Sequence, residues 1–261
     1  MKINEYYRDI AYMNLNGSIA ALVPATMIII GNLTFIKHRE MMLLTIPFLL
    51  YSLISFQVYL FRMKQSLAIR RNMPAFKDVS SYFFNARHLL LLYRSSQSPC
   101  LFIYFPNGHL AGHIKKIRGK GLERLNPSRI YALYNVEDQV IGFFKQKGRK
   151  VVKITVFDRN KNLLGGFEKR SIGFRKVKKE LFDHTGRFIG EVEGSSLFMD
   201  EHIFDPGQNE VGRLRRGWMP IEWSPIFPEP NTPVLSLKEG LSEEDKLLGM
   251  SLLINEYFIE R

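Results

Sequence analysis

MMLLTIPFLLYSLISFQVYLF, residues Met41–Phe61, runs for 21 residues without a charged side chain. At 1.5 Å per residue, a helix of that length matches the roughly 30 Å hydrocarbon core of a bilayer. Upstream, Ile10–Ile36 is a second uncharged run, of 27 residues, and only Lys37-His38-Arg39-Glu40 separates the two. In lipid the backbone must satisfy its own hydrogen bonds, so both runs are predicted helices and the polar residues a tight turn. A core helix of a soluble protein would turn a charge to water well within roughly 20 residues. The predicted spans cover about residues 14–36 and 41–61, within an N-terminal membrane hairpin of residues 1–71.

The chain has 261 residues and a formal charge of +12, from 37 basic and 25 acidic side chains. Four of the basic residues (Lys2, Arg8, Lys37, Arg39) and three of the acidic ones (Glu5, Asp9, Glu40) precede residue 61, which leaves 33 against 22, or +11, beyond it. That charge favours polyanionic partners, an anionic membrane surface or nucleic acid. Lys2 and Arg8 lie before the first run and Arg62, Lys64, Arg70 and Arg71 after the second, against Lys37 and Arg39 in the turn. Six against two predicts a multi-pass protein of the cell membrane with both termini cytoplasmic. Tyr6, Tyr7, Tyr12 and Tyr59 would gather at one interface. Cys100 is the sole cysteine, so no intrachain disulfide forms, in keeping with a cytosolic domain. Residues 1–21 have the look of a signal peptide, but the apolar run continues through Pro24 to Ile36, with no clear small-x-small site ahead of a mature domain, and a second span follows.

Pro74 ends the second helix, and residues 72–98 read as a connector whose apolar patch, Leu89–Leu92, is either a first strand or a short interfacial helix. From Pro99 onward, short runs of Val, Ile, Phe, Tyr and Leu alternate with Asn, Asp and Gly breaks. One pattern recurs five times: a polar turn, an apolar residue or Ala, a glycine, a free position, then an apolar residue. Its glycines are Gly112, Gly142, Gly165, Gly190 and Gly212, spaced 30, 23, 25 and 22 residues apart. This period suits one β-hairpin per unit, with the glycine at a bulge, a bend or a close backbone approach. About ten strands fit between Pro99 and Arg216, and Met219–Phe227 and Pro233–Leu237 would add one or two.

The final element differs. Ser242 is an N-cap with Asp245 three positions on, and Glu243 and Glu244 suit the positive end of the helix dipole. Leu247–Ile254 is then apolar on every side, yet too short to cross a bilayer, so protein must surround it. In a β protein the natural surround is a closed sheet. The prediction is a membrane α-hairpin followed by a mainly β domain, residues 99–261: a closed antiparallel barrel of about 12 strands around a central helix, 243–258.

Asp245-Lys-Leu-Leu-Gly-Met-Ser-Leu-Leu-Ile254, with the Phe157–Gly165 and Phe182–Gly190 hairpins, resembles the tubby C-terminal fold shared by LURP-one-related proteins and phospholipid scramblases. The resemblance covers about Pro99–Arg261 and implies a binding module, often for anionic phospholipid headgroups. A membrane hairpin is not typical of tubby proteins, which dock reversibly, and the motifs describe a fold and not a site.

No Gly-x-Ser-x-Gly elbow and no phosphate-cradling loop is present, so no enzymatic activity and no cofactor are expected. His109 and His113 are spaced like ligands on one strand face but have no third partner nearby in sequence, so no metal is expected. Glu243–Asp245 read as helix-start residues, and Trp218 and Trp223 as packing on the barrel or near lipid. Further basic groups occur at Lys115–Lys120 and Arg213–Arg216. The candidate anion- and lipid-binding residues are Lys145, Lys147, Arg149, Lys150, Lys169, Arg170, Arg175, Lys176, Lys178 and Lys179. Strand alternation divides the last group, since Arg175 and Lys179 would oppose Lys176 and Lys178. The expected function is non-enzymatic binding of anionic phospholipid headgroups, or of a protein partner at the membrane. The alternatives are a membrane-anchored regulator that binds nucleic acid and a scramblase-like lipid transporter.

Overall fold

The computed structural model describes residues 1–75, 82–95, 98–117, 129–148, 151–172, 177–195, 199–217 and 219–260. The chain divides into two compact units, Met1–Lys77 and Asp78–Arg261.

The first unit is a helical hairpin. Helix α1 (Ile3–Gly31) continues through a π-helical turn, Asn32–Ile36, and helix α2 (Ile46–Asn72) follows a 3-10 segment, Arg39–Thr45. Lys37 adopts the left-handed conformation (φ 53°) and His38 is extended. The Asn32 side-chain oxygen accepts the His38 N–H at 2.9 Å, which closes the turn within the predicted polar break. Both helices are long and apolar enough to cross a membrane. The helices extend beyond the charge-free runs: α1 includes the polar head from Ile3, and α2 ends at Asn72, just before Pro74. Within the two uncharged runs the buried positions of the helices are small, Ala11, Ser18, Ala21 and Ala25 on α1 and Ser52 and Ser55 on α2, whereas nearer the chain start and the end of α2 larger side chains, Ile3, Tyr6, Tyr7 and Ile69, are buried. Small side chains let the backbones approach, the packing mode available to helices without a hydrophobic drive between them. The Ser18 hydroxyl meets the Ser52 hydroxyl and carbonyl, each at 2.9 Å.

The second unit is a closed antiparallel barrel of twelve strands, each paired with its sequence neighbours. The strands are β1 (His88–Arg94), β2 (Cys100–Tyr104), β3 (Leu110–Ile117), β4 (Arg129–Asn135), β5 (Val140–Lys147) and β6 (Val151–Asp158), followed by β7 (Leu163–Ser171), β8 (Val177–Asp183), β9 (Phe188–Ser195), β10 (Asp200–Phe204), β11 (Glu210–Arg215) and β12 (Val234–Leu237). Strand β1 pairs with both β2 and β12, Leu90 facing Tyr104 on one side and Val234 on the other. The predicted connector 72–98 is therefore only partly a connector: Leu89–Leu92 belongs to β1 and closes the cylinder. Without it β2 and β12 would each present an unpaired edge. Met219–Phe227 adds no strand: it contains a short 3-10 turn, Ile221–Trp223, with the Trp223 ring 5.6 Å from His88 and Phe227 6.4 Å from Tyr104.

The repeated glycines do what their spacing predicts. In hairpins β2–β3, β4–β5, β6–β7, β8–β9 and β10–β11 the register shifts once beside the turn, opposite Gly112, Gly142, Gly165, Gly190 and Gly212. A Cβ on Gly190 would lie 2.4 Å from the Phe204 carbonyl oxygen, so only glycine fits there. Each hairpin also has a left-handed residue in its turn: Gly108, Asp138, Lys161, Gly186 and Gln208.

Helix α3 (Glu243–Phe258) fills the barrel. The Ser242 hydroxyl accepts the Asp245 N–H at 3.1 Å, and residues 246–257 are all buried. Inward side chains such as Leu89, Ile103, Phe144, Val156 and Phe167 form one core with Leu247–Ile254. Burying each such apolar side chain contributes about 1.5–3 kcal/mol, so the helix and the sheet hold each other in place.

Candidate anion-binding face

Strand alternation decides where each predicted lysine points. On β5 the inward positions are Gly142, Phe144 and Gln146, which turns Lys145 and Lys147 outward. On β6, Val152, Ile154 and Val156 face the core and Lys153 faces out. On β7, Phe167 points in, so Glu168 and Arg170 point out and Lys169 points in. On β8, Leu181 points in, so Lys178 and Glu180 point out and Lys179 points in. Cross-strand register sets Lys147 opposite Lys153, Lys153 opposite Glu168, and Arg170 opposite Lys178. Four strands at about 4.8 Å spacing thus carry Lys145, Lys147, Lys153, Arg170 and Lys178 over roughly 15 Å of one outward surface.

Two carboxylates lie among them. Glu168 bonds Lys153 at 2.5 Å and the Arg170 Nε at 2.9 Å, and Glu180 bonds Lys178 at 2.7 Å. Partial burial pushes the Glu168 carboxyl up, but the bonds from Lys153 and Arg170 outweigh it and hold it below the usual range. Like charges directly opposite on a sheet are unfavourable. The glutamates relieve this for Lys153, Arg170 and Lys178. Among the described residues, no carboxylate forms a salt bridge with Lys145 or Lys147.

Two of the candidates do not join this face. Lys179 is 6 % exposed and bonds Glu201 and Glu256, the latter at 3.3 Å; Glu201 is fully buried. Lys169 bonds Glu260 at the same end of the barrel, and burial followed by the Lys179 charge pushes its pKa down. The Asn255 amide bonds Glu256 and Glu260, each at 2.7 Å. Lys169 and Lys179 are therefore not surface anion ligands: they face the barrel interior, and their charges are neutralised by Glu201 of β10, Glu256 of α3 and Glu260, two residues beyond α3. Arg149, Lys150, Arg175 and Lys176 lie outside the described residues, as do Arg118, Lys120 and Trp218.

Lys153 belongs to no run of charge, because it stands alone among apolar residues. Its signal is the alternation Val152-Lys153-Ile154-Thr155-Val156, which marks an outward position on a half-buried strand. Elsewhere, Arg213 is paired with Asp200 through two bonds of 2.8 and 2.9 Å, and Lys115 sits 5.8 Å above the Tyr134 ring. His113 stacks on Tyr134 at 5.0 Å with its Nε2 3.5 Å from Asp138. Among the described residues, no three His, Cys, Asp or Glu side chains gather to hold a metal.

No protein-family model matches the chain, and no curated protein matches it in sequence. A solved X-ray structure of a protein from Arabidopsis thaliana is similar over 70% of this chain and 98% of its own, at 16% identity and a TM-score of 0.43.

Proposed function

We propose that this chain is a membrane-anchored, non-enzymatic binding module whose tubby-like barrel engages anionic phospholipid through the outward face of β5–β8. The observation that carries this reading is the unneutralised pair Lys145 and Lys147, set against Lys153 on a surface with more cations than carboxylates. Near an anionic leaflet, each such cation is worth about 1 kcal/mol, and the hairpin keeps the barrel close to a bilayer. The glutamates weaken the alternative of duplex nucleic acid: they interrupt the row of cations that would follow a phosphate backbone. A protein partner at the membrane would use the same charges.

The test is acylation footprinting of the full chain in lipid nanodiscs. Lys145 and Lys147 should react more slowly in discs containing phosphatidylserine than in pure phosphatidylcholine, and the protection should fade at high salt, as the Debye length shrinks from about 10 Å at 0.1 M to about 3 Å at 1 M. Equal labelling in both discs, with salt-dependent binding to duplex DNA, would replace the lipid reading by the nucleic-acid one.

A further inference from the structure

The opposite end of the barrel has a second cationic feature, away from β5–β8. Between the 3-10 turn Phe83–Asn85, the start of β1 and the loop from β12 to α3 lies a cavity of about 180 Å³, lined by Arg87, Lys238, Glu239, Gly240 and Lys246 among others. That volume holds a phosphate group and several waters, at about 30 Å³ per water.

Lys246 makes the cavity unusual. It is 7% exposed, and its ammonium carries three N–H donors. One bonds the Phe84 carbonyl. Among the described residues, no carboxylate lies within salt-bridge distance of it. The nearby acidic side chains are engaged elsewhere: Glu239 with Arg87 at 3.7 Å, Glu243 with the Tyr82 hydroxyl at 3.4 Å, and Asp245 with the Ser242 hydroxyl at 2.6 Å. A buried ammonium without a counter-charge is costly, and proteins keep one where something supplies the missing anion. Arg87 and Lys238 stand at the mouth, so three cations face one carboxylate around the cavity. A guanidinium beside two ammonium groups suits a compact dianion with several acceptor oxygens better than a single carboxylate.

We infer that this cavity is a binding site for a phosphate-class dianion, a phosphomonoester presented either by a lipid headgroup or free in solution. Lys246 is its buried anchor, and Arg87 and Lys238 its outer clamp. The site is independent of the lysines on β5 and β6.

The test titrates the full chain in neutral detergent with inorganic phosphate at constant ionic strength, read by calorimetry. Saturable binding is expected. It should weaken by at least about tenfold in the Arg87→Gln/Lys238→Gln variant, the loss of one charge-assisted contact or more. Both residues are exposed, so that variant keeps the Lys246–Phe84 bond and the fold. Lys246→Met should abolish binding; because it also unties Phe84, its thermal midpoint is measured in parallel, and the double variant decides if it fails to fold. Lys145→Gln/Lys147→Gln should bind phosphate as the parent does. The source of the phosphate is read by competition with short-chain phosphatidic acid and short-chain phosphatidylcholine: displacement by the first alone assigns a headgroup, and displacement by neither assigns free phosphate. No saturable binding by the parent, equal affinity in the Arg87/Lys238 variant, or an equal loss in the Lys145/Lys147 variant overturns the site.

Discussion

Lys179 on β8 and Glu256 on α3 meet inside the barrel, with 3.3 Å between the ammonium and the carboxylate. Glu201 on β10 holds the same ammonium from the other side. The contact ties the last turns of the central helix to the wall, where the apolar core gives way to polar side chains. Breaking a buried ion pair on one side costs about 3–5 kcal/mol, because the abandoned charge stays out of water. Lys179→Met strands two carboxylates. The full chain should lose roughly 10 °C in thermal midpoint by circular dichroism. The double variant Lys179→Met/Glu201→Gln, which removes one stranded charge, should recover part of that loss. A single variant that melts with the parent would show that the pair holds nothing.

The bulge glycines can be separated from the turn glycines within one hairpin. Gly186 has φ +82° and open space where a Cβ would go, so Gly186→Ala incurs only the left-handed backbone strain, about 1–2 kcal/mol. At Gly190 a Cβ would meet the Phe204 carbonyl oxygen at 2.4 Å, and the strand pairing itself must shift. Gly190→Ala should lower the midpoint clearly more than Gly186→Ala. The reverse order in a melting experiment would remove the glycine repeat from the determinants of the barrel.

Asp183 caps the β8–β9 turn: its carboxylate accepts from the Thr185 hydroxyl and from the backbone N–H groups of Thr185 and Arg187. These bonds, the hydroxyl first, hold its pKa down to about 2. A depressed carboxylate stabilises the fold above its unfolded value, near 3.9, and that contribution is lost as pH falls toward about 2. Asp183→Asn should therefore flatten the acid limb of the stability–pH profile between pH 4 and about 2 while changing its shape little above pH 5. Acid melts of parent and variant that stay parallel down to pH 2 would contradict this.

The basic excess flanking the hairpin predicts that residues 38–40 face away from the cytoplasm and both termini face it. A reporter inserted after Glu40 should be active only outside the cytoplasm, and one fused after Arg261 only inside. Activity of the Glu40 fusion in the cytoplasm would invert the topology.

Much of the architecture is legible in local chemistry. Two uncharged runs flanking four polar residues specify a helical hairpin, because neither helix satisfaction in lipid nor span length depends on distant residues. Five glycines placed alike after polar turns mark five hairpins, and an apolar stretch behind the Ser242 cap marks a helix that needs a wall on every side. These signals have short periods and act within a few residues. The tertiary structure alone decided the rest. Lys169 and Lys179 look like Lys145 and Lys147 in a list of charges, yet they point the opposite way, because facing follows register and each bulge resets it. Leu89–Leu92 is a strand because β2 and β12 need a common neighbour, a demand from partners distant in sequence. Lys246 reads in sequence as one more charge in the first turn of α3; only the closed rim of the barrel buries it, with no carboxylate within salt-bridge distance among the described residues.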